Sequence, residues 1–166
     1  MRKSSVETIV RALNAAGVQY LIVGGLAVVA HGYVRLTMDV DLLVGFGEAN
    51  LTAAIGVFRS LGYRPRAPVA IEQFANAQMR EEWRRSKGME VFTLVSETDP
   101  LTEVDLFVSD PIGFARAYGE AVRVEIEPGV PATFCSLRDL LAMKDAAGRP
   151  RDRLDAAQLR QINGVP

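Results

Sequence analysis

The segment Asp39-Val40-Asp41 begins a run of alternating polar and apolar residues, and this run is the strongest single constraint on how the chain can fold. Side chains two residues apart on a β-strand point to the same face of the sheet. Both carboxylates therefore project together, whereas Val40 and Leu42 are directed into the core. Adjacent carboxylates raise each other's pKa unless a cation lies between them. The pattern leaves two interpretations open, a divalent-cation site or two solvated aspartates at the start of a strand.

The composition directs any metal chemistry in this chain to carboxylates. One histidine and one cysteine, His31 and Cys135, exclude a disulfide framework, a cysteine-rich zinc site and a site built on several imidazoles. The 19 basic and 20 acidic residues give a net charge of −1, which lacks the basic excess of a nucleic-acid-coating protein. We expect His31 to end a helix and Cys135 to be a small buried residue.

The length and the pattern of apolar residues predict one α/β (α+β) domain over residues 1–166. Strands are predicted at residues 20–23, 40–44, 89–95, 102–108 and 121–126. Helices are predicted after Ser4, at residues 26–30 and 51–61, at Pro111, from Ser136 and after Pro150. Residues 64–87 give no clear pattern, although the charged stretch around Trp83 favours a solvated helix with a packed tryptophan over a nucleic-acid surface.

A third aspartate, Asp105, lies inside the otherwise apolar run from Val104 to Val108. An unpaired carboxylate on a central strand is costly. Asp105 therefore needs a partner, a metal ion or a place on the solvated face of an edge strand, and the residues alone do not choose among these.

Gly24 and Gly25 interrupt the first strand just before a helix. Glycines allow the backbone to approach phosphate oxygens closely, and a helix N-terminus supplies free N–H groups. The pair is also sufficient for a tight turn that binds nothing. Its spacing matches neither the dinucleotide-binding fingerprint nor the P-loop.

Lys144 follows Leu140 and Leu141 on the apolar stripe of the predicted C-terminal helix. Its ammonium group either extends to water or reaches into a site and neutralises phosphate. Farther along the chain, Arg151 and Asp155 have the helical spacing of a surface ion pair.

Taken in order, these residues resemble the DNA polymerase beta-like nucleotidyltransferase superfamily, in which a glycine pair after a first strand precedes an acid-x-acid strand and a third strand acid. The segment from Asp139 through Lys144 to Asp155 is similar to the C-terminal motif of abortive-infection type toxin nucleotidyltransferases. Two departures are the aspartate at position 139, where glutamate is usual, and a shorter C-terminal region. The resemblance covers residues 18–44, 102–108 and 136–159.

This resemblance implies a nucleotidyltransferase fold, a mixed sheet flanked by helices with a short helical C-terminus. It places the nucleotidyltransferase core at residues 18–134 and a C-terminal helical segment at residues 136–166. The implied activity, of EC 2.7.7 type, is transfer of a nucleoside monophosphate from a nucleoside triphosphate to an acceptor hydroxyl, with release of pyrophosphate.

The resemblance also assigns roles to individual residues. Mg²⁺, or Mn²⁺, would be bound by Asp39, Asp41 and Asp105, with Asp105 on the ion nearest the attacking hydroxyl. Gly24 and Gly25 would cradle the triphosphate, and Lys144 would neutralise it. The implied catalytic residues are thus Asp39, Asp41, Asp105 and Lys144. The implied nucleotide-binding residues are Gly24, Gly25, Arg35, Thr37 and Lys144.

The expected partners are ATP or another nucleoside triphosphate and an acceptor that is a small molecule, a tRNA end or a protein side chain. An antitoxin partner follows from the likeness to toxin–antitoxin systems. The alternative is an inactive nucleotide-binding or toxin–antitoxin-type interaction module on the same fold. Residues 1–5 continue into an amphipathic stretch, and the apolar run at residues 18–30 is too short to span a bilayer, so we expect a cytoplasmic protein without a membrane partner.

Overall fold

The computed structural model describes residues 3–165 and contains one mixed sheet of seven strands. The strands are β1 (Tyr20–Ile22), β2 (Asp39–Val44), β3 (Tyr63–Pro65), β4 (Val91–Ser96), β5 (Glu103–Phe107), β6 (Val122–Glu127) and β7 (Val130–Phe134). The helices are α1 (Lys3–Ala15), α2 (Gly24–Ala30), α3 (Glu48–Ser60), α4 (Ala77–Lys87), α5 (Phe114–Gly119), α6 (Leu137–Ala147) and α7 (Pro150–Asn163), with a short 3₁₀ helix at Ile71–Ala75. The expected α/β class, with a mixed sheet, flanking helices and a helical C-terminus, is confirmed.

The acid-bearing strand β2 lies near the middle of the sheet, whose strand order is β3-β4-β5-β2-β1-β7-β6. It runs antiparallel to β1 and parallel to β5. The register with β5 places Asp41 opposite Asp105, and the antiparallel pairing of β5 with β4 places Thr93 opposite Asp105 on the other side. One face of these three strands therefore carries a row of polar side chains.

The opposite face of the same strands is packed into the core. Val40 and Leu42 on β2 are fully buried, as predicted from their alternation with the aspartates. On β4 the buried Phe92 ring stacks on Phe74 and on Trp83, with ring centroids 5.3 and 5.1 Å apart. Helix α4 is thus the predicted solvated helix with a packed tryptophan.

The five predicted strands are all present, and the main differences lie elsewhere. Residues 64–87, which show no clear pattern, contain most of β3, the 3₁₀ helix and α4. The strand β7 is a further element that the sequence patterns do not predict. Ser4 lies inside α1, which already includes Lys3, and not at a cap. Ser136 does cap α6 by accepting from the Asp139 N–H at 3.1 Å.

The helix predicted at Pro111 begins later, at Phe114. The Asp110 carboxylate accepts hydrogen bonds from the N–H groups of Ile112, Gly113 and Phe114, and these bonds stabilise a turn in place of a first helical turn. Gly113, with φ of +76°, completes that turn. Across residues 3–165, no helix has both the length and the apolar character that crossing a bilayer requires.

We predict that Phe92→Ala lowers the free energy of unfolding by about 3–5 kcal/mol, because it removes a buried ring that packs on two others and leaves a cavity. Phe92→Leu keeps most of the volume and should cost clearly less. Urea unfolding followed by circular dichroism measures both values. Equal losses for the two variants would contradict this account of the packing.

Candidate functional site

Parallel pairing of β2 with β5 brings the three predicted aspartates together at one point of the sheet. Asp41 and Asp105 are register partners, and Asp39 lies two residues before Asp41 on the same face. One carboxylate oxygen of each residue lies within 4.8 Å of the others, and all three side chains are half-buried. Within residues 3–165, no lysine or arginine forms an ion pair with any of the three. We call Asp39, Asp41 and Asp105 the acid triad.

The acid triad is electrostatically strained. Burial, together with the charges of Asp39 and Asp105, raises the pKa of Asp41 to about 7, although the Gly25 N–H and the charge of Lys144 act in the opposite direction. Burial likewise raises the pKa of Asp105, against the lowering effect of its hydrogen bond from Thr93. The raised pKa values are consistent with a cluster that no cation neutralises. The three carboxylates offer only oxygen ligands, which is the donor set that Mg²⁺ and Mn²⁺ prefer.

Each carboxylate of the acid triad is oriented by a neutral hydrogen-bond donor. Thr37 Oγ1 donates to Asp39 Oδ1 at 2.9 Å, and Thr93 Oγ1 donates to Asp105 Oδ1 at 2.6 Å. The Gly25 N–H donates to Asp41 Oδ2 at 3.3 Å. These donors restrain the side chains without supplying a counter-charge, and each of them engages only one oxygen of its carboxylate.

The glycine pair packs directly against the acid-bearing strand. A Cβ atom at Gly24 would lie 1.9 Å from Asp41 Oδ2, and Gly24 has φ of +59°. A Cβ atom at Gly25 would lie 2.3 Å from Thr37 Oγ1. Both positions therefore require glycine for steric reasons, and the turn places backbone N–H groups beside the acid triad.

A chain of ion pairs joins the loop before β2 to the two C-terminal helices. The guanidinium of Arg35 contacts Asp155 through Nε and Nη2, each 2.8 Å from a carboxylate oxygen. Lys144 Nζ lies 2.9 Å from Asp155 and 2.8 Å from Asp152, and Arg149 Nε lies 2.6 Å from Asp152. We call these five residues the cation network.

The prediction of a surface ion pair between Arg151 and Asp155 is wrong. Asp155 is 1% exposed and faces the protein interior, where Arg35 and Lys144 reach it. Arg151 instead donates from Nη2 to the Leu36 carbonyl oxygen at 2.7 Å. This bond and the Arg35–Asp155 pair both fasten the loop before β2 to α7.

The cation network lies close enough to the acid triad for their charges to interact. Lys144 lowers the pKa of Asp41, and the pKa of Arg149 is raised by its hydrogen bond to Asp152 and, less strongly, by the charges of Asp41 and Asp39. Positive side chains thus approach the triad from the helical C-terminus without pairing with it.

All the residues to which the sequence assigns a role lie in this region: Gly24, Gly25, Arg35, Thr37, Asp39, Asp41, Asp105 and Lys144. Local sequence patterns do not predict the contacts that Thr93, Arg149, Asp152 and Asp155 make in this region. The burial of the two aspartates could have been predicted from the sequence, because they share the helical spacing of the apolar residues on α7. The buried residues of this helix are Asp152, Asp155, Ala156 and Leu159. Acids on a buried stripe indicate buried cationic partners.

Comparison with known proteins establishes the fold. No protein-family model matches the chain, and no curated protein sequence matches it. The solution structure of the antibiotic-resistance factor ANT(2'')-Ia is similar with a TM-score of 0.57 and 17% identity, over 96% of this chain and 80% of that chain. The crystal structure of ANT(2'')-Ia in complex with adenylyl-2''-tobramycin is similar with a TM-score of 0.55 and 16% identity, over 95% of this chain and 86% of that chain. The chain has the nucleotidyltransferase fold, as its motifs imply.

We predict that Gly24→Ala destabilises the protein by more than Gly17→Ala. Both glycines have positive φ, +59° and +66°, so both alanines incur the backbone cost of roughly 1–2 kcal/mol. Only at Gly24 would the new methyl group collide with the Asp41 carboxylate, because a Cβ atom at Gly17 meets nothing within 4 Å. Urea unfolding of the two variants measures the difference, and equal destabilisation would show that the turn does not press on the acid triad.

The raised pKa of Asp41 predicts how Asp41→Asn changes stability with pH. The folded protein holds the Asp41 proton up to about pH 7, whereas the unfolded chain releases it near the ordinary value of 3.8. This stabilising contribution is complete below pH 3.8 and is lost as the pH rises to 7. Asparagine mimics the protonated form at every pH.

The stability of Asp41→Asn relative to wild type should therefore increase from pH 4 to pH 7 and level off above it. Urea unfolding in the presence of a chelator at half-unit pH steps measures this difference. A difference that is independent of pH would contradict the electrostatic strain assigned to the acid triad.

Proposed function

We propose that this chain is a metal-dependent nucleotidyltransferase. It transfers a nucleoside monophosphate from a nucleoside triphosphate to the hydroxyl group of an acceptor and releases pyrophosphate. The observation that carries the proposal is the convergence of three carboxylates that lack a protein cation, next to a glycine turn and a network of positive side chains, on a nucleotidyltransferase fold.

The acid triad fits a divalent metal site by its donor chemistry. Asp39, Asp41 and Asp105 supply oxygen ligands only, and the mutual repulsion that raises the pKa of Asp41 is the interaction that a divalent cation removes. These three residues would hold Mg²⁺ or Mn²⁺. When bound, the ions activate the attacking hydroxyl group and stabilise the leaving oxygen.

The remaining residues position the substrate. The Gly24-Gly25 turn gives a phosphate group close access to the backbone beside Asp41, and Arg35 and Lys144 supply positive charge. Because Asp155 holds both cations, their side chains are ordered before the nucleotide binds, which lowers the entropic cost of alignment.

Asp105 is the proposed acceptor of the hydroxyl proton. Thr93 occupies its Oδ1 atom, so Oδ2 is the oxygen available to the acceptor. A carboxylate can act as a general base when it lies within hydrogen-bond reach of the hydroxyl proton.

We favour ATP as the donor and a small hydroxyl compound as the acceptor. The support is the similar fold of ANT(2'')-Ia, whose crystal structure contains adenylyl-2''-tobramycin, an adenylylated small molecule. A tRNA end and a protein side chain are the other acceptors to test. The abortive-infection type and its antitoxin partner stay predictions from the sequence motif alone.

We predict that labelled nucleoside triphosphates, incubated with the protein, Mg²⁺ and a metabolite extract, give a labelled product and pyrophosphate. Asp41→Asn should abolish both, because it removes one charge from the acid triad while keeping the side-chain shape. Fractionating the product into small-molecule, RNA and protein pools identifies the acceptor class.

Glu97→Gln is the matched control, since Glu97 is an exposed acid whose ion pair, within residues 3–165, is with the exposed Arg64. It should retain full activity. If the wild-type protein binds nucleotide tightly in calorimetry but transfers no label to any pool, the result would contradict the enzyme and favour the inactive nucleotide-binding module. Protein that binds neither nucleotide nor metal would refute both.

A further inference from the structure

Arg149 is the exposed end of the cation network. The network contains three cations and two carboxylates, and therefore carries a net positive charge. The side chains of its other two cations are little exposed, 14% for Arg35 and 9% for Lys144, whereas the Arg149 side chain is 76% exposed. The unmatched positive charge is thus accessible to a ligand at Arg149.

The hydrogen-bonding capacity of Arg149 is mostly unused. Its Nε atom donates to Asp152 Oδ2 at 2.6 Å. Among the residues that the structure describes, neither Nη group has a hydrogen-bond partner. The charges of Asp41 and Asp39 contribute to the raised pKa of Arg149, after its hydrogen bond to Asp152, as expected for a guanidinium group within electrostatic range of the acid triad.

Asp152 fixes Arg149 relative to Lys144. One oxygen of its carboxylate contacts the Lys144 ammonium at 2.8 Å, and the other contacts Arg149. The Asp152 side chain is itself 4% exposed, so it is a rigid bridge between the two cations. Two cations held at one carboxylate suit a ligand with several adjacent negative charges.

We propose that Arg149 binds the terminal phosphates of the nucleoside triphosphate, and that Asp152 is the positioning residue that holds Arg149 and Lys144 for this contact. A guanidinium group matches two phosphate oxygens with two parallel N–H donors, whereas an ammonium group acts as a point charge. The inference rests on the proposed function, in which the α-phosphate reacts at the acid triad. Arg149 would then select triphosphates over monophosphates.

The test compares ATP, AMP and inorganic pyrophosphate, each with Mg²⁺, by calorimetry. Arg149→Ala should weaken binding of ATP and pyrophosphate by about tenfold or more, since each loses a charge-assisted contact. Its affinity for AMP should not change. Arg149→Lys should recover part of the loss, and Asp152→Asn should show the same selective loss for ATP and pyrophosphate.

Arg153→Ala is the matched control, because Arg153 is an exposed arginine on α7 that has no described partner. It should bind all three probes as wild type does. The melting temperature of Arg149→Ala should equal that of wild type, since the side chain is exposed.

Three results would overturn the inference: unchanged ATP and pyrophosphate affinity in Arg149→Ala, an equal loss for AMP, or an equal loss in Arg153→Ala. If the same wild-type preparation still transfers labelled nucleotide, the proposed function stands and only the role of Arg149 falls. Wild-type protein that binds none of the three probes would refute both.

Discussion

The repulsion among Asp39, Asp41 and Asp105 is the interaction on which the rest of the site depends. Strand pairing forces the three carboxylates within 4.8 Å of one another, and partial burial removes much of the water that would screen them. The surrounding structure orients them with neutral donors and pairs none of them with a described lysine or arginine. Such an arrangement costs stability unless a cation offsets the negative charge.

The glycine turn and the cation network are two consequences of this arrangement. Backbone packed against Asp41 leaves no room for a side chain, so the first residue of α2 is closed to every residue except glycine. Positive charge could neutralise the acid triad by pairing with it, but in this fold Asp152 and Asp155 hold the lysine and arginine side chains instead. The cations therefore stay near the acid triad without pairing with it.

Much of the fold is predictable from local patterns, and each exception has its own physical cause. The predicted strands and the capped helix α6 follow from alternation, helical spacing and turn residues, which act within a few positions. The strand β3 has only three residues, and Pro65 within it weakens the signal. The late start of α5 results from the Asp110 carboxylate, which satisfies backbone N–H groups that a helix would otherwise leave free.

The candidate site, like the fold, is only partly predictable from local sequence patterns. The spacing of Asp39 and Asp41 on one strand determined that both carboxylates share a face, because that follows from the two-residue period of any strand. Their meeting with Asp105, and the contact of Thr93 with it, depended on which strands pair, and this is a property of the whole sheet.

The C-terminal ion pairs show the physical reason most clearly. By itself the sequence determined the positions of the charges on α6 and α7, and local spacing favoured a pair between Arg151 and Asp155. An exposed helical pair is worth only about 0.2–0.5 kcal/mol, whereas a buried carboxylate without a partner costs several times more. Once packing buried Asp155, its partners had to be the cations that tertiary structure placed there, Lys144 and the distant Arg35. Which cations pair with Asp155 is therefore determined by the tertiary structure and not by local spacing.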